Sequence, residues 1–115
     1  MAVDCLVLDS EGLSRAARRE RRMAALLSAA HAQGIRVVTS SMTLIEAYHG
    51  QARREAWTWA MSRVVVEPVT REVAEGAVRL LGETGLHGHK YAIDAALAVI
   101  AGGQGGNVVV YTGRE

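Results

Sequence analysis

The chain has 115 residues and a mass near 12.3 kDa, room for one compact domain at a typical ~100 to 200 residues each and too little for a second catalytic domain. Half of the residues are hydrophobic and 22% are charged, a balance that supports a buried core and argues against intrinsic disorder. With 13 basic and 12 acidic side chains the net charge is +1, so there is no general cationic coat for nucleic acid and any such contact has to be local.

In chain order, the apolar run from Val3 to Leu8 stops at Asp9-Ser10-Glu11-Gly12, the pattern of a buried strand closed by a polar turn. From Ser14 to Gln33 apolar residues recur with helical spacing at Leu13, Ala17, Ala24, Leu27 and Ala30, and Gly34 supplies a stop, which predicts one helix. Ile35 to Thr39 reads as a second strand. A strand, a helix and a strand of this combined length make a right-handed crossover, and hence a parallel sheet. Met42 to His49 and Gln51 to Ser62 read as helices divided near Gly50, and Arg63 to Val66 as a β-branched strand closed by Glu67-Pro68. Thr70 then caps a helix running to about Glu83. After a loop containing Gly and His, a very apolar helix spans Tyr91 to Ala101, and Gly102 to Gly106 turns the chain into a last strand, Val108 to Tyr111. Four strands alternating with helices define an α/β domain with a parallel sheet.

Several function classes drop out. The lone Cys5 cannot form an internal disulfide and reads as a small buried hydrophobe. No apolar stretch approaches the ~20 residues that cross a bilayer, and the N-terminus lacks the pattern of a signal peptide; a cytoplasmic protein without membrane contact is expected. Gly102-Gly103-Gln104-Gly105-Gly106 follows a helix and precedes a strand, the reverse of the order in a phosphate loop. Gly85-Leu86-His87-Gly88-His89-Lys90 lacks the spacing and the Ser or Thr that would hold magnesium there.

The chain has three aspartates, two of them in places where carboxylates are unusual. Asp9 stands at the C-terminal tip of the first strand, the edge of a parallel sheet where ligands bind; its plain role is a turn or helix cap. Asp94 stands in Ala92-Ile93-Asp94-Ala95-Ala96-Leu97-Ala98, a context too apolar for a solvent face, where an unpaired carboxylate costs several kcal/mol or is neutralised. Its plain role is to serve the helix N-terminus. Glu46 follows the second strand within Thr43-Leu44-Ile45-Glu46, a spacing that also matches a capping box. In a parallel sheet all three positions open on one edge. Like charges about 4 Å apart repel by roughly 4 kcal/mol at an effective dielectric near 20, and a hard divalent ion such as magnesium or manganese relieves this. The chemistry implied is metal-assisted phosphodiester hydrolysis.

Leu6-Val7-Leu8-Asp9-Ser10, Thr43-Leu44-Ile45-Glu46-Ala47, His89-Lys90-Tyr91-Ala92-Ile93-Asp94-Ala95 and Val109-Val110-Tyr111-Thr112 resemble, in order and spacing, the four motif regions of the PIN-domain family, and in particular its VapC-type toxins of actinobacteria. The resemblance covers almost the whole chain. It implies a three-layer α/β/α fold with a parallel sheet of about four strands, and an Mg²⁺-dependent (or Mn²⁺-dependent) ribonuclease site. On it Asp9, Glu46 and Asp94 are metal ligands and activators of the attacking water, with Ser10 and Thr112 in support. It further implies RNA as substrate, a cognate antitoxin of a type II toxin–antitoxin pair as partner, and a homodimer. Where the family commonly reads Thr-Ser-Asp followed by further acids, this chain reads Thr112-Gly113-Arg114-Glu115. The fourth carboxylate is replaced by Arg114 or absent, and the usual last strand and helix are missing from this single domain, residues 1–115. A noncatalytic PIN-like module that binds RNA or antitoxin is the alternative. A phosphotransferase resembling the haloacid dehalogenases, with Asp9 as nucleophile and Thr39 at the second strand end, is a third reading, weakened by the lack of a later paired-aspartate motif.

Arg15, Arg18, Arg19 and Arg22 fall on one stripe of the first predicted helix, a candidate phosphate-contacting patch or a solvated face balanced by Glu20. Trp57 and Met61, four apart, are expected to pack inward and Trp59 to point elsewhere. His87 and His89 are too few for a zinc site, and His31 and His49 carry no signal.

Overall fold

Four consecutive buried residues, Cys5 to Leu8, cannot all face one layer, because successive strand side chains point to opposite sides of a sheet. Leu6 and Leu8 pack into one apolar cluster with Leu13, Met23, Leu27 and Val37. Cys5 and Val7 pack into another with Val38, Leu97 and Ile100. The strand is therefore covered on both faces, which makes the domain three layers thick.

The computed structural model describes residues 2–48 and 53–112. Among them the order is β1 (Cys5–Leu8), α1 (Ser10–Ala17), α2 (Arg21–Ala32), β2 (Arg36–Ser40), α3 (Ser41–Ala47), α4 (Arg54–Ser62), β3 (Val65–Glu67), α5 (Arg71–Thr84), α6 (Gly88–Gly102) and β4 (Val108–Tyr111). The strands form one all-parallel sheet in the order β3-β2-β1-β4. Cys5 lies level with both Arg36 and Val108, and Leu8 with Tyr111. Helices α1 to α4 cover the face of Leu6 and Leu8, and α5 and α6 the face of Cys5 and Val7. The chain thus winds outward from β1 to β3 over one face and returns over the other to β4, so the direction of winding reverses between β1 and β4. No helix among the described residues is long and apolar enough to cross a membrane.

The α/β architecture expected from the sequence is the one found, with differences in detail: the third strand, expected over Arg63–Val66, runs Val65–Glu67 because Arg63 closes α4. The expected helix over Ser14–Gln33 is two helices. Arg18 to Arg22 are five charged residues in a row, so no apolar side chain holds this stretch against the sheet. Helix α1 ends instead with Arg19 at φ 54°, the Glu20 amide donating to the Arg15 carbonyl and the Arg19 amide to the Ala16 carbonyl. This is the Schellman closure, which normally places glycine at the left-handed position. An arginine there carries roughly 1 to 2 kcal/mol of strain, partly offset by its guanidinium lying 4.8 Å from the Trp59 ring centre.

The polar turn after β1 shrinks to Asp9 alone, and Gly12 is already helical and buried. Helix α6 begins at Gly88, so part of the expected loop is its first turn. Thr70 caps α5 as expected, accepting from the Val73 amide. On α4 the tryptophans exchange roles: Trp59 joins Met61 against the core, while Trp57 meets Tyr48 edge-on, ring centres 5.0 Å apart. Ala56 and Ala60 form the buried face of α4, and their small size lets the helix lie close enough for Trp59 to reach inward. The expected division near Gly50 lies outside the described residues.

Candidate active site at the sheet edge

The reversal of winding fixes where a site can form. Because β1 and β4 are neighbours in parallel register, Asp9 and Thr112 leave the sheet side by side, and the Asp9 amide donates to the Tyr111 carbonyl at 3.1 Å. Open α/β sheets bind ligands at this kind of crevice, outside the carboxyl ends of strands flanking the reversal.

Asp9 has extended backbone angles and caps α1, one carboxylate oxygen accepting from the Gly12 amide at 2.8 Å. The cap fixes the side-chain rotamer, and α1 contributes the positive end of its dipole beside the carboxylate. Gly12 is needed for the approach of β4: a Cβ at this position would stand 2.9 Å from the Tyr111 ring. Beneath the junction, the buried Thr39 hydroxyl donates to the Leu8 carbonyl at 2.9 Å, tying β2 to the end of β1. Thr39, which the dehalogenase-like reading places at the second strand end, is fully buried at this bond.

Asp94 arrives from α6, which Leu97 and Ile100 anchor in the second core. Asp94, Leu97, Ala98, Val110 and Thr112 join Asp9 in lining a cleft of about 220 Å³. Asp94 is exposed rather than buried, in contrast to the expectation from its apolar context: Ala95, Ala96 and Leu97 are buried, whereas Ala92, Asp94 and Ala98 are exposed. With α6 starting at Gly88, Asp94 sits in the second turn, beyond the reach of a capping or dipole role, which fades after the first turn.

Glu46 is placed differently. The cap of α3 is Ser40, whose hydroxyl accepts from the Thr43 amide at 2.9 Å and lies 2.7 Å from the Thr43 hydroxyl. Thr43 is buried as a partner of that cap, so the expected capping box from Thr43 to Glu46 does not form. Glu46 is exposed, on a helix that packs against α6, and it is not among the residues lining the cleft of Asp9 and Asp94. Among the described residues no three His, Cys, Asp or Glu side chains converge closely enough to hold a metal ion. The structure thus brings together Asp9, Asp94 and Thr112, with Ser10 opening α1 beside them, and leaves Glu46 off the wall. Arg114 and Glu115 lie outside the described residues.

No protein-family model matches the chain, and no match was found among the curated proteins or the solved structures.

Two carboxylates suffice for one kind of ion. Magnesium keeps several waters and is often held by one or two carboxylates together with substrate phosphate. Asp9 and Asp94 supply two carboxylates to one cleft, and a hydroxyl at Thr112 can donate to or accept from a ligand there. The arginine stripe does not survive the break between α1 and α2. Arg15 pairs with Glu11 at 3.1 Å and Glu20 at 3.8 Å, and Arg18 bonds to the Ser14 hydroxyl at 3.0 Å and pairs with Glu11 at 3.9 Å. Arg19 lies over Trp59, and Arg22 stands exposed on α2. The Cys5 thiol is pushed up from its ordinary pKa by burial, which keeps it protonated and unreactive at neutral pH. Sequence reasoning missed the walls of the cleft, Leu97, Ala98 and Val110, which read only as core, and missed Gly12, whose signal was a glycine three residues after a strand-end aspartate.

Proposed function

We propose that the protein is a metal-dependent endoribonuclease, the toxin of a type II toxin–antitoxin pair, with RNA as its substrate. The observation that carries this reading is the meeting of Asp9 and Asp94 in one cleft at the β1–β4 reversal. The sequence resemblance to the PIN-domain family supports the choice of RNA, of an antitoxin partner and of a homodimer. Asp9 and Asp94 would hold Mg²⁺ or Mn²⁺, which when bound supplies an activated water and neutralises the leaving oxygen. Asp9 contributes a carboxylate whose orientation is fixed by the α1 cap. Asp94 contributes the second negative charge from α6, and Thr112 a hydroxyl at the end of β4. Leu97 and Val110 give the cleft an apolar side, which strengthens the charge interactions inside it.

Purified protein with magnesium or manganese should cleave RNA, EDTA should stop cleavage, and Asp9→Asn should abolish it while circular dichroism and melting stay unchanged. Absence of cleavage on any RNA tested with either metal overturns the enzyme reading.

The position of Glu46 off the cleft wall favours a second reading, a noncatalytic module that binds RNA or an antitoxin. Binding whose affinity is the same in EDTA and in magnesium, without turnover, would identify it.

A further inference from the structure

Asp94 and Ala98 each line two depressions. With Asp9 and Thr112 they form the candidate cleft; with Leu80, Leu86 and Tyr91 they form a hollow of about 180 Å³ between α5 and α6. The two spaces adjoin along α6, and the second carboxylate stands at their shared rim.

The sequence accounts for the hollow. Tyr91, Asp94, Ala95 and Ala98 recur three or four apart and so make one stripe of α6. The methyl side chains of Ala95 and Ala98 leave the space toward α5 unfilled. At its far end Gly85 closes α5 with φ 70°, and the Leu86 amide donates to the Leu81 carbonyl. This closure sets Leu86 against the end of its own helix, yet the side chain stays 46% exposed.

The walls are almost wholly apolar and include one aromatic ring. The Lys90 ammonium stands 5.4 Å from the centre of that ring, Tyr91. The Thr84 hydroxyl donates to the Leu80 carbonyl at 2.9 Å, so it offers a ligand only lone pairs. At about 180 Å³ the hollow is smaller than the ~300 to 1,000 Å³ of sites for drug-sized ligands, and a single planar ring system fills it. A flat apolar body with a charged backbone attached outside is the chemistry of an unpaired nucleobase, which stacks on aromatic side chains while cations meet its phosphate.

We infer that the hollow is a subsite for one unpaired base of the RNA, stacked on Tyr91 and held beside the phosphate that enters the cleft of Asp9 and Asp94, with Lys90 facing the attached backbone. The inference rests on the RNA reading above and goes beyond it: it names single-stranded segments as the substrate and Tyr91 as the residue that selects them. A base paired in a duplex is stacked on its neighbours and cannot enter. Stacking needs only a π-face, so the subsite selects strandedness and not base identity.

Binding of a single-stranded tetranucleotide tests this, read by fluorescence anisotropy of an end-labelled strand at low ionic strength in EDTA, where cleavage is off. Tyr91→Leu keeps an apolar side chain and removes the π-face, and should weaken binding by about 5- to 100-fold, alike for oligo-A, oligo-C and oligo-U. A ribose-phosphate strand of the same length without bases should bind the wild type as weakly, and Tyr91→Leu should then cause no further loss. Equal affinity of the wild type and Tyr91→Leu for the intact strands overturns the proposal, as does the same Tyr91→Leu loss on the strand without bases. Cleavage with magnesium separates this outcome from that of the ribonuclease reading. Cleavage with KM unchanged in Tyr91→Leu overturns the subsite alone, whereas binding that depends on Tyr91 without turnover supports the subsite and overturns the enzyme alone. Should Tyr91→Leu fail to fold, ring-proton NMR of the wild type decides. The Tyr91 signals must move upfield with the intact strand and stay in place with the strand lacking bases; signals that the intact strand does not move overturn the proposal.

Discussion

Two junctions in this molecule use the same local grammar and come to different ends. At each, a strand stops, one residue with extended angles caps the next helix through its side chain, and an apolar face follows. After β1 the cap is Asp9, and its carboxylate lies at the mouth of a cleft. After β2 the cap is Ser40, buried with its partner Thr43, and the nearest carboxylate, Glu46, stands outside on the second turn. What separates them is the topology around them. β1 neighbours β4, across which the winding reverses, whereas β2 lies between strands reached by winding in one direction. A strand-end acid gains a ligand site from the reversal and not from its position in the strand alone.

Substitutions can break or sharpen this contrast. The largest effect belongs to the β1 side. Asparagine caps a helix as well as aspartate does, so Asp9→Asn and Asp94→Asn should each lower RNA cleavage by about 100-fold or more with melting temperatures unchanged; a loss of stability equal to the loss of rate would reduce both residues to scaffold. At the β2 junction the ranking inverts. Ser40→Ala leaves buried groups of Thr43 without the hydroxyl they bond, and should cost about 1 to 2 kcal/mol in denaturant unfolding with little effect on cleavage by the folded protein. Glu46→Gln should reduce cleavage by less than about tenfold, equivalent to about 1.4 kcal/mol. A fall matching that of Asp94→Asn would restore Glu46 to the metal site. Smallest of all, Arg19→Gly trades left-handed strain against the contact with Trp59 and should change stability by only about 0.5 kcal/mol in either direction, readable as a small displacement of the urea midpoint.

Much of the architecture was legible because periodicity and sheet topology are written in the apolar residues. The four strands, their parallel arrangement and the Thr70 cap could be read from spacing, whereas the strand order β3-β2-β1-β4 could not. The break at Arg19 was not legible, since the residue that closes α1 in the left-handed conformation is not a glycine and the apolar spacing runs on through it. The exchange of Trp57 and Trp59 was hidden for a related reason: four-residue spacing identifies a face, but the small size of Ala56 and Ala60 decides how near that face lies. For the site, Asp9 and Asp94 stood out as acids in apolar surroundings, and the structure joins them. Glu46 had the same signature, but its helix is capped one turn earlier than the sequence suggested, by a serine inside the strand end.

The first candidate carboxylate is attached directly to the strand with neighbours on both sides, and its own amide is bonded to the next strand over. Regions of that kind open only when the whole molecule does. Heating should therefore leave the proposed RNA cleavage intact until cooperative denaturation, with no earlier, separate inactivation step and with full recovery on cooling wherever refolding is reversible.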